Sequence, residues 1–386
     1  MERVKYLHIA LSNGEFPFLS SLTNAIANPK YKLDTGNHLF ITKKNAKNSL
    51  YSNHNQKCKV IESEKDEIEI INTYGKDADF IIVHGFQSKM AQVLNISREL
   101  DHKIILRTWG HDIVKPSKNP SSYPKTIYRY LLFRLYRRKL RRFFAIGIND
   151  HVDKINVEKV LGNDVNTIIM PYGPDELNGV SKAAVFSNIL TFKRTDIEIK
   201  RIMVGHSGIV TDRHIKVLKS LLRFKNENLI ISLPLSYGDP HYIALVKQYA
   251  MDNFGSKVEI VENMMSLPEY ANYINSIDVA IFAMKNSSAL GNISLLVYFG
   301  KKLYVDKNSD FKNAFDSCSI DYGVIEDIEN SSFNEFVSPM KNATHARELW
   351  CENINRENYT TIKWLEAEDI MEKALAKNLK SKKNEQ

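Results

Sequence analysis

The sequence has few cysteines and no long apolar run, and each absence narrows what the chain can be. Its three cysteines, Cys58, Cys318 and Cys351, are odd in number and far apart. This spacing excludes a cysteine-rich zinc site and indicates reduced thiols of a cytoplasmic protein. No apolar stretch approaches the roughly 18 residues that span a bilayer. No signal-peptide pattern follows Met1 either, so we expect a cytoplasmic chain without a spanning segment.

Two further absences concern cofactors. The first predicted strand is followed by Leu11-Ser-Asn-Gly-Glu15, which lacks the Gly-x-Gly-x-x-Gly of nucleotide-sugar epimerases and 2-hydroxy acid dehydrogenases. In the second half of the chain no Asp-x-Asp follows a predicted strand. We therefore expect neither a dinucleotide cofactor nor a bound metal.

What the sequence does contain fits two α/β domains. Its 386 residues are too many for one ordinary core, and 43% hydrophobic with 25% charged residues is typical of globular proteins. Strands alternate with helices in both halves, which favours parallel sheets. Pro171–Asp175 is the best linker, so we predict domains at 1–172 and 173–345, followed by C-terminal helices and a basic tail at 346–386.

The predicted elements of the first half are seven strands and four helices. The strands are Val4–Leu11, His38–Thr42, Cys58–Glu62, Phe80–His84, Lys103–Thr108, Phe143–Ile148 and Thr167–Met170. The helices are Phe18–Ala27, Lys89–Leu100, Lys125–Arg142 and Val152–Leu161. In the second half the predicted strands are 201–205, 229–234, 257–261, 278–283 and 302–306, and the helices are 212–223, 240–253, 267–276, 292–299 and 350–377.

A glycine turn opens the second half. Gly205 and Gly208 follow the apolar strand Ile202–Val204 and precede a helix, so the backbone can approach a ligand closely. Unpaired N–H groups at the helix start would suit a phosphate. A simple strand-to-helix turn is the alternative interpretation. Gly14 stands in a similar turn after the first strand, and two such halves suggest a ligand held in a cleft between them.

Polar residues cluster where predicted strands end, which is where α/β sheets keep their ligand sites. Each cluster also has a purely structural explanation, but together they favour a ligand site at the sheet edge of each half. In the first half they are Glu15, His84-Gly85-Phe86 and Trp109-Gly110-His111-Asp112; in the second they are Ser236, Tyr237 and the segment 287–294.

The net charge of +8 calls for an acidic partner, and much of it lies in one segment. Residues 125–142 hold eight Lys and Arg and no acid, and Pro124 suits a helix start. A period of 3.6 residues places the arginines on one arc, opposite Tyr128, Leu132, Leu135, Tyr136 and Leu140, with Phe133 at the edge; the arginines are Arg134, Arg137, Arg138, Arg141 and Arg142. The alternatives are an ordinary surface helix, docking to an anionic membrane, and nucleic-acid binding, which no accompanying motif supports.

Several of these motifs resemble the bacterial 4-α-L-fucosyltransferase family, glycosyltransferase family 56. They are Glu15-Phe-Pro17, His84-Gly-Phe86, Thr108-Trp-Gly-His-Asp112, Val204-Gly-His-Ser-Gly208 with His214-Ile215, Leu233-Pro-Leu-Ser-Tyr237, Glu269-Tyr270, and Leu290-Gly-Asn292 with Leu295-Leu296 and Gly300. The resemblance implies the GT-B fold, in which two Rossmann-like domains face a cleft, with the acceptor in the N-terminal half and the donor in the C-terminal half. It also implies transfer of a deoxy-amino sugar from a dTDP-sugar to a lipid-linked glycan of a bacterial surface polysaccharide, such as enterobacterial common antigen.

Within that frame each candidate residue has a role. Acceptor activation needs a carboxylate within hydrogen-bond reach of a sugar hydroxyl; Asp112 is our first choice and Glu15 the second. Gly14, His84, Trp109 and His111 are expected on the acceptor side. Donor binding is assigned to Gly205, Ser207, Gly208, Ser236, Tyr237, Lys285, Gly291, Asn292 and Ser294, with Lys285 in place of an arginine of the family pattern.

The expected partners are a nucleotide-sugar, a polyprenyl-diphosphate-linked glycan and an anionic membrane surface, but not nucleic acid. The nucleotide-sugar is a substrate, so no cofactor is expected. Helix N-termini and basic side chains would neutralise the leaving diphosphate without a metal. The enzyme would lie on the inner face of the bacterial inner membrane. Three alternatives remain. A transferase of the same fold could act on O-antigen or capsule intermediates, or it could use a UDP- or GDP-sugar. The chain could also be a basic nucleic-acid-binding α/β protein without catalysis.

Overall fold

The computed structural model describes residues 4–11, 22, 26, 35–43, 59–109, 111–113, 123–177, 180–192, 194–195, 198–285 and 289–384. The chain divides into two compact units. The N-terminal unit comprises Met1–Asp175 and Asn358–Gln386, and the C-terminal unit comprises Glu176–Glu357. Gly14 and Glu15 lie outside the described residues, as does most of the predicted helix Phe18–Ala27.

The N-terminal unit contains a seven-stranded parallel sheet with the order β3-β2-β1-β4-β5-β6-β7. Its strands are β1 Val4–Ala10, β2 His38–Lys43, β3 Lys59–Ser63, β4 Ala78–His84, β5 Ile104–Arg107, β6 Ala145–Ile148 and β7 Thr167–Ile169. Its α-helices are Glu67–Tyr74, Met90–Val93, Tyr123–Leu140, His151–Leu161 and Tyr359–Asn384. The strands are nearly continuous apolar runs because both faces of a parallel sheet are covered.

The last helix, Tyr359–Asn384, packs on the N-terminal unit, so the C-terminal segment is not a separate domain. Trp364, Ala367 and Met371 are fully buried on one face of the N-terminal sheet. Asp175 accepts hydrogen bonds from the backbone N–H groups of Thr360 (2.8 Å) and Thr361 (3.0 Å) at the start of this helix. The predicted segment 346–386 is therefore divided between the two units, since the helices before Asn358 belong to the C-terminal one.

The C-terminal unit repeats the plan with six parallel strands in the order β12-β11-β10-β13-β14-β15. Its strands are β10 Lys200–Val204, β11 Leu229–Pro234, β12 Val258–Val261, β13 Val279–Phe282, β14 Lys302–Val305 and β15 Tyr322–Val324, and the short antiparallel pair β8 Glu176–Leu177 and β9 Val180–Ser181 precedes them. Its α-helices are Lys182–Thr191, His214–Leu221, Pro240–Phe254, Leu267–Ser276, Leu290–Tyr298, Phe311–Ser317, Phe333–Phe336, Ala343–Trp350 and Glu352–Asn355.

The predicted alternation of strands and helices is confirmed, with ends that shift by up to about two residues for most strands. The predicted helix Lys89–Leu100 is wrong over most of its length. Only Met90–Val93 is α-helical there, and a 3-10 turn follows at Arg98–Lys103. The predicted helix 350–377 is interrupted, because Cys351 and Asn358 (φ 52°) leave helical geometry. The predicted helix Lys125–Arg142 is present as Tyr123–Leu140.

Candidate active site

Two predicted motifs meet at the carboxyl edge of the N-terminal sheet. Gly85 follows β4 with a φ of +74°, and a Cβ there would overlap the Trp109 ring beyond β5. The Trp109 Nε1–H donates to the carbonyl of His84 at 3.1 Å. His84-Gly85-Phe86 and Trp109 therefore pack together, and glycine is needed at position 85 both for its φ and for this close approach.

Trp109 belongs to a stack of three planar groups. Its ring lies parallel to that of Tyr172, with centroids 4.9 Å apart and planes 12° apart, and the Arg107 guanidinium lies 4.2 Å from the Tyr172 centroid. Arg107 is buried and donates to the carbonyls of Met170 and Thr108 and to Asn149 Oδ1. The stack is thus anchored in the sheet, while Trp109 stays 36% exposed.

Asp112 forms part of the wall of a cavity of about 640 Å³. Its Oδ1 accepts a hydrogen bond from the Thr108 hydroxyl, and its carbonyl accepts one from the Tyr136 hydroxyl at 2.7 Å. Loop residues after β4 and one face of helix Tyr123–Leu140 complete the lining: Phe86, Gln87, Ser88, Lys89, Met90, Ala91, Tyr128, Arg129, Leu132 and Tyr136. The neighbouring His111 lies in a 3-10 turn with Asp112. The cavity wall therefore combines the Asp112 carboxylate and apolar side chains with the cationic side chains of Lys89 and Arg129.

Glu67 is a residue that the sequence analysis missed. Its carboxylate lies beneath the cavity loop, where it accepts from the backbone N–H groups of Gln87 (3.2 Å) and Ser88 (3.0 Å). Burial raises the pKa of Glu67, and the Asp112 carboxylate adds to that effect. The pattern around it, Glu-Ile-Glu-Ile, indicated nothing, because Glu67 is the first residue of a helix and its partners are twenty residues away.

A second acidic group lies at the same sheet edge, after β6. Asp150 caps helix His151–Leu161 by accepting from the N–H groups of Val152 (2.9 Å) and Asp153 (3.2 Å). Burial and the Asp153 carboxylate raise the pKa of Asp150. Asp150 follows β6 as Asp112 follows the neighbouring strand β5, so the two carboxylates can be compared directly.

His84 does not point to the cavity. It is 2% exposed and hydrogen-bonded within the sheet to His8 and Tyr172, and burial together with the nearby Arg107 charge lowers its pKa to about 3. This placement differs from the predicted acceptor-side role, because the side chain that ends β4 turns inward and leaves Phe86 to line the cavity.

The glycine turn of the C-terminal unit uses its own N–H groups. The amides of His206 and Ser207 both donate to Asp212 Oδ2 at 3.0 Å, and the amide of Gly208 donates to the Tyr237 carbonyl at 2.6 Å. The predicted phosphate cradle of Gly205, Ser207 and Gly208 is therefore already satisfied internally. Asp212 replaces the anion for which the turn was predicted.

Gly208 has a packing role instead. It pairs with Gly238 in an isolated parallel bridge, and its carbonyl accepts from the Asp239 N–H at 2.9 Å. A Cβ at position 208 would overlap Ile243. The loops after β10 and β11 are thus joined, with the half-buried Ser236 and the 48% exposed Tyr237 on the second of them.

The helix Leu290–Tyr298 presents a more open start. Gly291 is exposed, with no atom of the described residues within 4 Å of an added Cβ, and Asn292 is half-buried. Helix geometry leaves the first N–H groups without intrahelical acceptors. Lys285 is exposed at the end of β13, and its carbonyl accepts from the Asp310 N–H at 2.7 Å. Ser294, in contrast, is buried and accepts from Trp350 Nε1 at 3.1 Å, so it belongs to the core rather than to this surface.

The buried and exposed faces of the basic helix Tyr123–Leu140 differ from the predicted ones. Its buried side chains are Phe133, Tyr136, Lys139 and Leu140, whereas Ile127, Tyr128, Leu131 and Leu135 are 46–62% exposed. The apolar side that was predicted to pack is therefore partly on the surface, because the interior uses a neighbouring stripe.

Three of the five predicted docking arginines have partners inside the protein. Arg137 and Arg141 donate to the Leu161 carbonyl at 3.0 and 2.7 Å, which caps the C-terminus of helix His151–Leu161, and Arg141 also pairs with Asp164. Arg142 pairs with the buried Asp101 at 2.7 Å. Arg134 and Arg138 are exposed on the helix itself.

The described residues form neither a metal site nor a membrane-spanning helix. No group of three or more His, Cys, Asp or Glu side chains in that part of the chain is placed to hold a metal ion. None of the described helices is both long and apolar enough to cross a membrane.

The two Rossmann-like units define the GT-B class of glycosyltransferases, and solved structures share this fold. A glycosyltransferase from Rickettsia africae superposes with a TM-score of 0.59 at 11% identity, covering 96% of this chain and 99% of its own. WaaG, a glycosyltransferase of lipopolysaccharide biosynthesis, gives 0.53 at 12% identity, covering 95% and 99%. HepE from Anabaena, solved with UDP and glucose, gives 0.54 at 12% identity, covering 98% and 100%.

The family follows from the sequence itself. The profile of the 4-alpha-L-fucosyltransferase family, glycosyl transferase group 56, matches residues 24–338, which is most of the chain. The protein belongs to this family and is a glycosyltransferase, which confirms the family and the enzyme class expected from the motifs.

Proposed function

We propose that this glycosyltransferase moves a deoxy-amino sugar or a related sugar from a dTDP-sugar to a lipid-linked glycan of a bacterial surface polysaccharide. The observation that carries the proposal is the placement of Asp112 at the wall of a cavity that is also lined by Lys89 and Arg129. A carboxylate suits a sugar hydroxyl, and the two cations suit the diphosphate of a polyprenyl-linked acceptor.

In this mechanism Asp112 takes the proton of the acceptor hydroxyl as that oxygen attacks the anomeric carbon of the donor. The bond between the anomeric carbon and the nucleoside diphosphate breaks, and its electron pair leaves with the diphosphate. The hydrogen bond from Thr108 holds the Asp112 carboxylate in place. A preorganised base and a correctly aligned hydroxyl are each effective only at hydrogen-bond distance.

For the donor we propose the start of helix Leu290–Tyr298, with Gly291, Asn292 and Lys285. Orphan amides and the positive end of the helix dipole stabilise the leaving diphosphate. Because these groups supply the charge stabilisation, we propose that transfer is metal-independent. Transfer should survive EDTA, and strict restoration by Mg²⁺ or Mn²⁺ would contradict this.

A UDP-sugar is the second candidate donor, since HepE, which shares the fold, was solved with UDP and glucose. A thermal-shift panel of dTDP, UDP, GDP and CMP separates the two. A nucleotide at about 100 times its dissociation constant stabilises its binding unit by about 2.7 kcal/mol. A shift with dTDP alone supports the dTDP donor, and a shift with UDP alone replaces it.

The lipid part of the acceptor is supported by the exposed stripe Ile127, Leu131 and Leu135. It shares helix Tyr123–Leu140 with the cavity residues Tyr128 and Arg129, so the apolar surface continues from the cavity. Exposed apolar side chains beside Arg134 and Arg138 are typical of a surface that docks on an anionic bilayer, to which each cation adds about 1 kcal/mol. We therefore propose peripheral binding to the inner face of the inner membrane.

Co-sedimentation with anionic liposomes tests this docking. Changing Ile127, Leu131 and Leu135 to serine should release most of the bound protein. Arg134→Gln with Arg138→Gln should weaken binding at low salt, and its difference from wild type should shrink as salt screens the charges. Leu245→Ser, on an exposed helix position of the C-terminal unit, is the matched control. Binding of the serine variant equal to that of wild type would exclude this surface.

The acceptor is tested by comparing one glycan with and without its polyprenyl diphosphate. The proposal expects a much lower KM for the lipid-linked form. Equal use of both forms would remove the lipid from the acceptor.

A further inference from the structure

A hydrogen-bonded row of three histidines crosses the N-terminal sheet. His38, His8 and His84 lie on the adjacent strands β2, β1 and β4, and each is at most 2% exposed. His8 Nε2 is 2.9 Å from His38 Nδ1, and His8 Nδ1 is 3.0 Å from His84 Nε2. Three buried imidazoles joined ring to ring are an unusual use of a sheet interior, where polar groups are costly unless fully paired.

Each end of the row meets one further polar group. Glu368 Oε1, on the last helix, is 3.2 Å from His38 Nε2. At the other end the Tyr172 hydroxyl is 2.6 Å from His84 Nδ1. The row therefore connects helix Tyr359–Asn384 to the segment that follows β7 at the carboxyl edge of the sheet.

The end groups give the row a direction. A neutral histidine has one donor and one acceptor nitrogen, and burial lowers the pKa of both His8 and His84, which keeps them neutral near pH 7. The Glu368 carboxyl oxygen, 3.2 Å from His38 Nε2, favours a proton on that nitrogen, although the contact lacks hydrogen-bond geometry. His8 and His84 then donate through Nε2–H in turn, and the Tyr172 hydroxyl donates to His84.

The histidine row is linked to Trp109 through Tyr172. Tyr172 is fixed at its hydroxyl by His84 and lies flat against Trp109, at 4.9 Å between centroids. Trp109 is also tied through Nε1–H to the carbonyl of the same His84, at 3.1 Å. Trp109 is 36% exposed and lies three residues before Asp112.

We propose that the histidine row is a positioning device: it fixes Tyr172, Tyr172 fixes Trp109, and the exposed part of Trp109 contacts the acceptor sugar ring beside Asp112. The role for the sugar rests on the proposed transfer to a glycan acceptor. Sugar rings pack well on rigid aromatic rings. A mobile Trp109 ring would weaken the alignment of the acceptor hydroxyl with Asp112. His8, His38, His84 and Tyr172 are accordingly positioning residues that do not touch the reacting atoms.

Tyr172→Phe tests the device, because it removes the hydroxyl and keeps the stacking ring. Tyr6→Phe is the control: Tyr6 is a buried tyrosine of the same unit that stacks on His38 at 4.8 Å, but its hydroxyl is not part of the row. Three readouts are compared, namely the imidazole ¹⁵N shifts, hydrogen exchange of the Trp109 indole N–H, and KM and kcat for the acceptor.

In wild type His8 and His84 should be neutral Nε2–H tautomers. In Tyr172→Phe the Trp109 indole N–H should exchange about tenfold faster, the factor expected for one buried hydrogen bond. The acceptor KM should rise by a similar factor while dTDP binding is unchanged. Tyr6→Phe should match wild type in all three.

Wild-type exchange and KM in Tyr172→Phe would overturn the proposal, and Nδ1–H tautomers in wild type would overturn the direction of the row. If wild type uses no glycan acceptor, the proposed function fails separately. The indole exchange rate then decides whether the row holds Trp109, with an unchanged rate counting against it.

Discussion

The carboxyl edges of the two sheets share one strand-loop-helix plan but leave different groups for a ligand. In the N-terminal unit the loops after β4 and β5 enclose a cavity of about 640 Å³ with Asp112 at its wall. In the C-terminal unit the loop after β10 closes on itself, because Asp212 and the Tyr237 carbonyl take the amides of residues 206–208. A glycine turn after a strand thus predicts tight geometry, but not vacant amides.

The largest expected effect concerns Asp112. Asp112→Asn should lower kcat by about 10²- to 10⁴-fold, since an amide cannot accept the hydroxyl proton. Donor binding, measured by the thermal shift with nucleotide, should be unchanged. Asp150→Asn is the matched comparison at the next strand end, and it should retain transfer because Asn caps a helix about as well as Asp. Collapse of transfer in Asp150→Asn with retention in Asp112→Asn would move the base to Asp150.

The second prediction compares one buried histidine from each unit. His8→Leu leaves His38 Nδ1 and His84 Nε2 without their shared partner, which should cost the N-terminal unit about 2–4 kcal/mol at pH 7. Neither ring nitrogen of His214 has a hydrogen-bond partner among the described residues, so His214→Leu should change stability by less than about 1.5 kcal/mol. Hydrogen exchange of the core amides of each unit measures both values. Equal losses would show that the histidine row has no special weight.

The third comparison sets two glycines of the C-terminal unit against each other. Gly208→Val should overlap Ile243 and destabilise this unit by up to about 3 kcal/mol. Gly291→Val enters open space at a helix start and should leave stability within about 0.5 kcal/mol, while weakening nucleotide binding. Thermal unfolding and calorimetric titration with dTDP separate the two effects. Full binding by Gly291→Val would remove the helix start from the donor site.

The smallest effect is a pH dependence. Burial lowers the pKa of His214 to about 4, whereas an unfolded histidine titrates near 6.5. Below pH 6.5 the unfolded state therefore binds a proton that the folded state does not, so this group destabilises the fold as pH falls from 6.5 towards 4. At pH 5 the variant His214→Leu should gain about 2 kcal/mol relative to wild type, compared with their difference at pH 7. A difference independent of pH would contradict the lowered pKa.

The sequence predicted the strand and helix alternation because apolar strands and spaced caps are local signals. It also predicted that His84-Gly85-Phe86 and Trp109 converge, since carboxyl ends of parallel strands share an edge. It missed helix Glu67–Tyr74, whose Glu-Ile-Glu-Ile start alternates like a strand although Asp66 caps it through the Glu69 N–H. Local periodicity cannot separate these two cases over so few residues.

Contacts between residues distant in sequence explain the wrong assignments of the arginines and of Ser294. The arginines of the predicted helix Lys125–Arg142 were assigned to one polar arc, but Arg142 pairs with Asp101 and Arg137 caps a helix at Leu161. Ser294 was assigned to the donor site, but its hydroxyl accepts from Trp350. Each partner lies more than twenty residues away, where no spacing rule applies. Glu15 and Gly14 stay predictions.

Hydrogen exchange with and without dTDP tests the central contrast most directly. This contrast predicts slower exchange of the amides of residues 290–292, at the start of helix Leu290–Tyr298. It also predicts unchanged exchange at residues 206–208, which are already bonded within their own loop, and at the cavity loop 86–91. Protection of residues 206–208 without protection of 290–292 would contradict it and return the diphosphate to the glycine turn.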